Sequence, residues 1–481
     1  MSGLIIPKLF VYPTTGSNVV PAKKNALIPY IPPEIICIIL NLLRDDKKTL
    51  ASCALVNHTF NLHAIPILYH TVAFTFPHTF TLFANVTNDI KNRCSQMVHH
   101  LDLSSFSTCG LQKSSSETQK VVTPELLIHI LRSFPGLKAF SISESLESVI
   151  TLDVLKVLFL ECKSIKTVDF CGCASKQFSN ALEEFSLLIG RVRIEQYFND
   201  NGDESTISFR MNHEPLLSHL QRLSFHECPV ISEYSTIIPL LAHAPNLTHL
   251  DLGGCSISDL TLNFLSGTDA PSRLSHLLLA KCKNISSDAI ASFTTKCSKL
   301  ETLNLYGDRT SIKEFDLITI LRSPNSKNFQ ILDIGSSQIT PLILTTIKEN
   351  CKSLQNLGIS KAPITNINLI KDLLKALPNL KYIDLTSIPC FNILNTNSLF
   401  TSIKKDNHPI HTIEMSESLL KKLHVVDGWK IDITNGRRWY YSREIKGGAI
   451  RPNRVHGRKL DITEYGAEYM SKIFQYYSFD A

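Results

Sequence analysis

Apolar residues recur along most of the chain in the pattern L-x-x-L-x-L, where x is any residue. In the clear part of the series the first positions are spaced 27, 27, 26, 29, 25, 26 and 30 residues apart. The first positions of these copies are Leu220, Leu247, Leu274, Leu300, Phe329, Leu354, Leu380 and Ile410. Because the last two apolar positions are two residues apart, they point to one side of a short strand.

The remainder of each period has helical spacing. In one period, Ala289, Ile290 and Phe293 form an apolar stripe at intervals of one and three residues. One strand and one helix cannot bury their apolar faces alone, so the pattern predicts stacked repeat units. Earlier copies begin at Val98, Leu137 and Ile165, which makes room for about twelve units.

Two stretches interrupt the period. Residues 104–120 are rich in serine, and residues 198–214 are polar and turn-rich, so both are predicted to be surface loops. The gap between the copies at Ile165 and Leu220 is about two periods long. The triplet Ile189, Val192 and Ile194 is the candidate for a missing copy there.

The thirteen cysteines follow the same period. Four lie eight residues after a first apolar position, and three lie three residues before one. They are Cys173, Cys228, Cys255 and Cys282 in the first group and Cys162, Cys297 and Cys351 in the second. Metal ligands are one interpretation, but there is no CxxC pair and no Cys/His group at zinc spacing. The regular phase favours small buried side chains that stack beside the strand, and it resembles the cysteine-containing class of leucine-rich repeats.

The same cysteine usage predicts reduced thiols and therefore a cytoplasmic or nuclear protein. The N-terminus has no apolar stretch typical of a signal peptide. The most apolar run, residues 35–43, is nine residues long, too short to span a membrane. We therefore expect no membrane partner.

Residues 31–69 carry a different pattern, which predicts three short helices. Two prolines and Glu34 suit the start of the first helix. Its apolar residues recur at i, i+3, i+4, i+7 and i+8 on one face: Ile35, Ile38, Ile39, Leu42 and Leu43. A second helix is predicted from Thr49 to Val56, and a third contains Phe60 and Ala64 and precedes Pro66. So small a module has too little core to stand alone, which indicates that it docks on something.

This module resembles the F-box. The resemblance rests on Ile31-Pro-Pro-Glu-Ile35 and on Ile39, Leu42, Leu50, Val56 and Phe60. The sequence departs from the family at Ile31, where Leu is common, and at Asn57 and His58, where the family often has Cys or Ser and Lys or Arg. An F-box directly ahead of cysteine-type repeats is a more specific indication of the family than either feature alone.

The resemblance implies a substrate receptor of an SCF (Skp–cullin–F-box) ubiquitin ligase, with a Skp-type adaptor and, through it, cullin as partners. The candidate adaptor-binding residues are Pro32, Pro33, Ile35, Ile39, Leu42, Leu50, Val56 and Phe60. Some of them face the adaptor and others hold the helices together. Two alternatives stay open: a scaffold that acts outside ubiquitination, and a repeat protein that assists catalysis, such as a GTPase activator.

The variable positions of L-x-x-L-x-L line the concave face of a repeat solenoid. The candidate substrate-binding residues there are Arg222, His249, Asp251, His276, Leu278, Asn304, Asn356, Tyr382, Asp384 and Glu414. This mixture of polar, aromatic and charged groups suits a protein substrate better than a nucleic-acid backbone. The neighbouring His249 and His276 could bind a metal or sense pH, or could simply be solvated or hydrogen-bonded.

The formal net charge of +6 belongs to one segment near the C-terminus. Residues 427–460 contain nine Lys and Arg against three acidic residues, and both tryptophans. Trp429 to Ile433 and Arg438 to Ser442, separated by Thr-Asn-Gly and Arg437, predict a hairpin. Three interpretations stay open: a cap on the solenoid, a tail across the concave face, and an arginine-rich contact with nucleic acid or phosphate. The candidate residues are Trp429, Arg437, Arg438, Trp439 and Tyr440.

The predicted fold is α/β, a leucine-rich repeat solenoid with a parallel concave sheet and a helical convex face, preceded by a small all-α F-box. The predicted segments are a flexible N-terminus at 1–27, the F-box at 28–72, the solenoid at 73–418 and the basic, aromatic C-terminal segment at 419–481. The sequence contains no GxSxG, P-loop, HExxH or dinucleotide-loop motif. We therefore expect no enzyme, no cofactor and no metal, and a function that consists of tethering.

Overall fold

The computed structural model of the 481-residue chain describes most of the sequence from residue 31 to residue 443. The described residues are 31–44, 46–74, 77–87, 93–104, 121–190, 192–198, 204–211, 214–307, 312–410, 412–422, 429–434 and 438–443. The predicted N-terminal segment, residues 105–120 of the first predicted loop and everything after residue 443 lie outside them.

Three helices open the described chain: α1 (Pro33–Leu42), α2 (Lys47–Ala54) and α3 (His58–His70). The Asp46 carboxylate caps α2 by accepting a hydrogen bond from the Thr49 N–H at 3.0 Å. The Asn57 side chain caps α3 in the same way, 2.9 Å from the Phe60 N–H. The second helix therefore begins directly after the charged turn, and the third begins directly after Asn57.

Two helix boundaries differ from the sequence-based prediction. The second helix begins two residues earlier and ends at Ala54 rather than at Val56. The third helix continues through Pro66 to His70. Proline disfavours a helix interior because it lacks an N–H, but neighbouring contacts can override that preference. Here the last turn is held against the first repeat, since Tyr69 packs on the solenoid core.

The solenoid is built on one sheet of fourteen strands among the described residues, twelve of them parallel. The parallel strands are β1 (Thr71–Ala73), β2 (His100–Leu103), β3 (Ala139–Ile142), β4 (Thr167–Asp169), β7 (Arg222–Ser224), β8 (His249–Asp251), β9 (His276–Leu278), β10 (Thr302–Asn304), β11 (Ile331–Asp333), β12 (Asn356–Gly358), β13 (Tyr382–Asp384) and β14 (Thr412–Met415). Neighbouring strands pair in register, so that Leu250 lies opposite Leu277 and Leu277 opposite Leu303. The predicted fold class and repeat register are confirmed.

Helices connect the strands, and successive helices pack side by side. The α-helical segments are Pro77–Thr87, Pro124–Ser133, Leu152–Lys156, Lys176–Ile189, Ile238–His243, Asp259–Ser266, Ala270–Arg273, Ser287–Thr294, Glu314–Arg322, Pro341–Asn350, Ile367–Ala376, Ile393–Lys405 and Glu417–Leu420. Short 3₁₀ or π segments supplement them at Arg93–Met97, Glu144–Val149, Val157–Glu161, Glu233–Ile237 and Pro324–Asn328. One continuous apolar core runs between the sheet and these helices from Val72 to Trp429.

The two-period gap is filled differently from the prediction. Val192–Phe198 (β5) and Glu204–Met211 (β6) form a separate antiparallel hairpin, and β4 pairs directly with β7. The proposed repeat at Ile189, Val192 and Ile194 is therefore wrong, and most of the predicted second loop is strand. The hairpin packs on the helical side, because Phe209 contacts Phe264 edge-on with ring centroids 5.1 Å apart. The twelfth parallel strand is β1, which precedes the first predicted copy.

The cysteines stack beside the strands, as the repeat phase predicts. Cys228 Sγ donates to the carbonyl of Phe170 at 3.2 Å, Cys255 Sγ to Phe225 and Cys282 Sγ to Leu252, the last two at 3.1 Å. All seven cysteines of the two predicted phases are buried and unbridged. The thiols of Cys228, Cys255 and Cys282 thus each bond a carbonyl of the preceding repeat.

An antiparallel hairpin closes the C-terminal end of the sheet. It consists of β15 (Trp429–Thr434) and β16 (Arg438–Arg443), and β16 pairs with the last parallel strand, β14. The predicted hairpin is confirmed, and Arg437 lies outside the described residues. Within the part of the chain that the structure describes, no helix is long and apolar enough to cross a bilayer.

Candidate functional site

The first helix of the N-terminal module carries two apolar stripes. Ile36 and Leu40 point inward and form the core of the three helices with Leu50, Ala54 and Ala64. A second stripe on the same helix is exposed, and its members keep between 44% and 72% of their surface accessible. These residues, which we call the α1 outer stripe, are Ile35, Ile38, Ile39 and Leu42.

The remaining predicted adaptor-binding residues separate into exposed and buried ones. Val56 and Pro32 are exposed, Pro33 is half-buried, and Phe60 is half-buried against the helix core. Leu50 is fully buried, so it holds the three helices together and is not available to a partner. The sequence-based set therefore needs correction at Leu50.

The structure adds exposed apolar residues that the motif comparison did not single out. Leu55 and Leu62 are both more than half exposed in the same three-helix module. A helix that is apolar on every side is normally buried on every side, and contiguous exposed apolar surface marks an interaction site. The spacing i, i+3, i+4, i+7 in α1 predicted the outer stripe. The inner stripe was not predicted, because only Ile36 and Leu40 of this helix are buried.

The concave face is organised by a row of polar side chains at the ends of the strands. Asp251 Oδ1 accepts a hydrogen bond from the Gly253 N–H at 2.9 Å, two residues further along. In the same way, Asn304 Oδ1 accepts from the Tyr306 N–H and Asp384 Oδ1 accepts from the Thr386 N–H, both at 2.9 Å. These three predicted substrate-binding residues thus turn the chain after the strand, and any substrate contact by them stays a prediction.

Asp251 has a second partner in the neighbouring repeat. Its Oδ1 lies 3.2 Å from His226 Nδ1, and both side chains are buried. Burial by itself lowers the pKa of His226, but the charge of Asp251, its hydrogen bond to the ring and the charges of Glu227 and Asp169 together outweigh burial and raise that pKa. This pair holds two adjacent strand ends together at the centre of the sheet.

The two predicted histidines stack face to face on neighbouring strands. The ring centroids of His249 and His276 are 3.8 Å apart and the rings are 14° from parallel. Each Nδ1 lies 2.8 Å from the hydroxyl of the preceding residue, Thr248 or Ser275. Burial, together with the nearby charge of Arg222, lowers the pKa of His249 to about 2 and that of His276 to about 4. Both rings are therefore neutral near pH 7, which disfavours a pH sensor in that range.

The last strands of the concave face are also closely packed. Tyr382 and Glu414 are buried, and the Tyr382 hydroxyl donates to Glu414 Oε2 at 2.5 Å. Leu278 and Asn356 are buried too, while Arg222 is half-buried. Among the described residues, no group of three His, Cys, Asp or Glu side chains could hold a metal ion.

The C-terminal candidates lie on the closing hairpin. Trp429 is buried, and its ring meets that of Phe400 edge-on with centroids 5.2 Å apart, so this side chain belongs to the core. The backbones of Arg438, Trp439 and Tyr440 belong to β16, with Trp439 opposite Met415 and Tyr440 opposite Glu414. This geometry is what a cap requires.

The structure combines a small helical module, which has an uncovered apolar stripe, with a parallel-strand solenoid that follows it. This combination is that of an adaptor-type domain ahead of a repeat protein. A family model described as the COS11 F-box domain matches residues 28–109. The chain therefore has an N-terminal F-box domain followed by a leucine-rich repeat solenoid. It is homologous to the F-box protein YLR352W of Saccharomyces cerevisiae, with 25% identity over 344 residues and 63% of this chain. The chain spans 40% of that relative's length.

Two solved structures are similar to the chain. The crystal structure of the Rad7 and Elc1 complex in yeast matches 75% of this chain and 89% of its own, with 16% identity and a TM-score of 0.46. The leucine-rich repeat-containing protein LegL7 from Legionella pneumophila matches 67% of this chain and 84% of its own, with 15% identity and a TM-score of 0.36. The description of the matching family model does not indicate a catalytic family.

Proposed function

We propose that this chain is the substrate-recognition subunit of an SCF-type ubiquitin ligase. The α1 outer stripe binds a Skp-type adaptor, the adaptor links the chain to cullin, and the solenoid holds a target protein. The observation that carries the proposal is the stripe itself, because four large apolar side chains of an F-box domain are left uncovered.

The mechanism is tethering. Binding a target and an adaptor at the same time converts the encounter between a target lysine and the ligase-bound ubiquitin carrier into an intramolecular event. The junction between the F-box and the solenoid supports this role. Lys47 Nζ donates to the Thr71 carbonyl at 3.0 Å, and the rings of His70 and His99 stack with centroids 4.8 Å apart. The third helix leads directly into β1, so the two modules are joined without a linker.

The proposal is tested by measuring adaptor binding with purified proteins. We expect Ile39→Asp/Leu42→Asp to weaken adaptor binding by about a hundredfold or more, because a central interface residue contributes about 2 kcal/mol or more. Both side chains are exposed, so the free energy of unfolding should change by less than about 0.5 kcal/mol. Leu394→Asp is the matched control, since Leu394 is 80% exposed on a helix of the last repeats.

The outcomes separate the alternatives. Failure of the wild-type chain to capture the adaptor contradicts the proposal. Capture of the adaptor without cullin favours the scaffold that acts outside ubiquitination. Equal loss of binding in Leu394→Asp would mean that the α1 outer stripe is not the docking surface.

A further inference from the structure

A basic groove lies at the edge of the sheet where the strands begin, outside the concave face and the α1 outer stripe. It has a volume of about 410 Å³. We call it the strand-start groove, and its charged or titratable lining residues are Lys163, Lys166, His219, Arg273 and Lys299. They lie on the segments that enter β4, β7, β9 and β10, so the stacking of repeats brings together residues up to 136 positions apart.

The lysine charges of this groove are not neutralised by a carboxylate in the described residues, whereas Arg273 is paired with Asp269. Lys163, Lys166 and Lys299 are exposed, and within the described part of the chain none of their ammonium groups forms an ion pair or a hydrogen bond. No acidic side chain is among the residues that line the groove. Like charges gathered on one surface raise the local potential and attract an anion.

The polar lining is held in place by bonds between repeats. Asn246 Nδ2 donates to the Ser218 carbonyl at 2.6 Å, and the Arg273 guanidinium donates to the Asn246 side-chain oxygen. A second guanidinium nitrogen of Arg273 lies 3.3 Å from Asp269 at the surface. The Thr248 hydroxyl, which also lines the groove, bonds the Gln221 carbonyl at 3.1 Å. Arg273 is therefore fixed before any ligand arrives.

His219 supplies an independent sign of a missing ligand. Its Nε2 is buried and has no hydrogen-bond partner among the described residues. Burial, and then the charge of Lys163, lower the pKa of His219. A buried polar atom without a partner is uncommon and unfavourable in a folded protein, and an acceptor oxygen of a ligand in the groove would pair with the Nε2–H of the neutral ring.

We propose that the strand-start groove binds a phosphorylated serine or threonine side chain of a protein partner. A phosphoryl group brings nearly two negative charges and three acceptor oxygens, which match several ammonium groups, one guanidinium and nearby hydroxyl and amide donors. Nucleic acid suits the site less well. In the repeats after Lys299, the residues three positions before each strand are Asn328, Ser353 and Asn379, so the basic surface does not continue as a track in that direction.

The test uses a fluorescein-labelled peptide library with one fixed phosphoserine and otherwise random positions, and the same library with serine at that position. Fluorescence anisotropy with the full chain measures binding. We expect phosphate-dependent binding that weakens as salt is added. Lys163→Glu/Lys299→Glu should weaken it by about tenfold or more, because two charge-assisted contacts are lost. Lys375→Glu/Lys405→Glu reverses two exposed lysines on helices of later repeats and should leave binding unchanged.

Three results would overturn the proposal. They are equal binding of the two libraries, retention of binding in folded Lys163→Glu/Lys299→Glu, and tighter groove-dependent binding of random single-stranded RNA than of the phosphopeptides. If the charge-reversed chain does not fold by circular dichroism, Lys163→Met/Lys299→Met is judged by the same criteria, since methionine preserves the apolar stem. The proposal does not depend on the ligase role, because Ile39→Asp/Leu42→Asp should bind the phosphopeptides normally whether or not an adaptor is captured.

Discussion

The repeat cysteines show how one side chain can serve the same purpose in successive units. In three neighbouring repeats a buried thiol donates to the carbonyl that ends the preceding unit's strand. Each of these carbonyls also accepts a hydrogen bond from the backbone N–H three residues later, so the thiol supplies its second bond. Burial also raises the pKa of these thiols, to about 12 for Cys282. They stay protonated at neutral pH, which makes them poor nucleophiles and poor metal ligands.

This burial predicts a specific loss of stability in alkali. Cys282 in the unfolded chain releases its proton near pH 9, whereas in the folded chain it does so only near pH 12. Because the folded pKa is the higher one, the contribution is fully present below pH 9 and is lost as pH rises toward 12. Relative to Cys282→Ala, the wild-type free energy of unfolding should fall by about 1.4 kcal/mol per pH unit above pH 9.5.

Urea unfolding of both proteins between pH 8 and about pH 10.5, within the window set by these pKa values, measures the difference. The comparison cancels tyrosine and lysine titration, which the two chains share. Parallel stability curves for wild type and Cys282→Ala would contradict the assigned burial of this thiol. Below pH 9 the variant should be the less stable of the two, since the Leu252 carbonyl keeps its bond from the Cys255 N–H but loses the one from the Cys282 thiol.

At the scale of the element, each parallel strand is only three or four residues long, and in several of them a polar residue at the third position fixes the strand end. Asp333 on β11 illustrates this, because it accepts a hydrogen bond from the Gly335 N–H at 3.0 Å. Its carboxylate also needs room beside the next strand. Gly358 lies directly opposite on β12, and a Cβ at that position would be 2.4 Å from Asp333 Oδ1. Glycine in β12 is therefore required by its neighbour's carboxylate.

Gly358→Ala should destabilise the solenoid by about 1–3 kcal/mol, as overpacking of a filled site does. In an Asp333→Ala background the same substitution should cost clearly less, because the atoms that it meets are gone. A double-mutant cycle from urea unfolding measures this coupling. Gly267→Ala is the control: its φ of −86° suits alanine, its nearest contact would be 3.5 Å away, and little change is expected. Additive costs at Gly358 and Asp333 would contradict the explanation.

The sequence was most informative for strands whose apolar side chains all face the same core. Period and spacing alone predicted the register of the sheet, since Leu250 and Leu277 lie at the centres of neighbouring strands. They failed in β5, where Val192 and Ile194 alternate like a repeat strand but belong to a hairpin on the other side of the molecule. Alternation identifies a strand but does not say which sheet it joins.

The candidate sites show a different limit. The pattern of α1 located the outer stripe, but burial was needed to separate it from Leu50. The strand-start groove was not predicted, because Lys163 and Lys299 have no shared motif and meet only through the stacking of repeats. Such a site is visible once the register is known in three dimensions. Along the chain its only trace is the lysines that precede β4 and β10 and the arginine that precedes β9.

At the scale of the whole molecule, a solenoid has two open ends, and this chain closes each by a different means. At the N-terminal end the third F-box helix continues into β1 and packs on the first repeat. At the C-terminal end β16 pairs with β14 in the antiparallel sense and covers its free edge. An uncovered strand edge is a template for aggregation. The closing hairpin therefore protects the fold, whatever further role the residues that follow it have.

Trp429→Ala tests this closure. The indole is buried and meets Phe400 edge-on, so its removal should cost about 3–5 kcal/mol in the free energy of unfolding. Leu394→Ala, on the same helix as Phe400 but 80% exposed, should cost less than about 0.5 kcal/mol. Removal of residues 429–481 should go further, because it leaves the edge of β14 unpaired, and size-exclusion chromatography should show aggregates. A monomeric, fully folded truncation would exclude the hairpin as a required cap and would favour a role at the concave face.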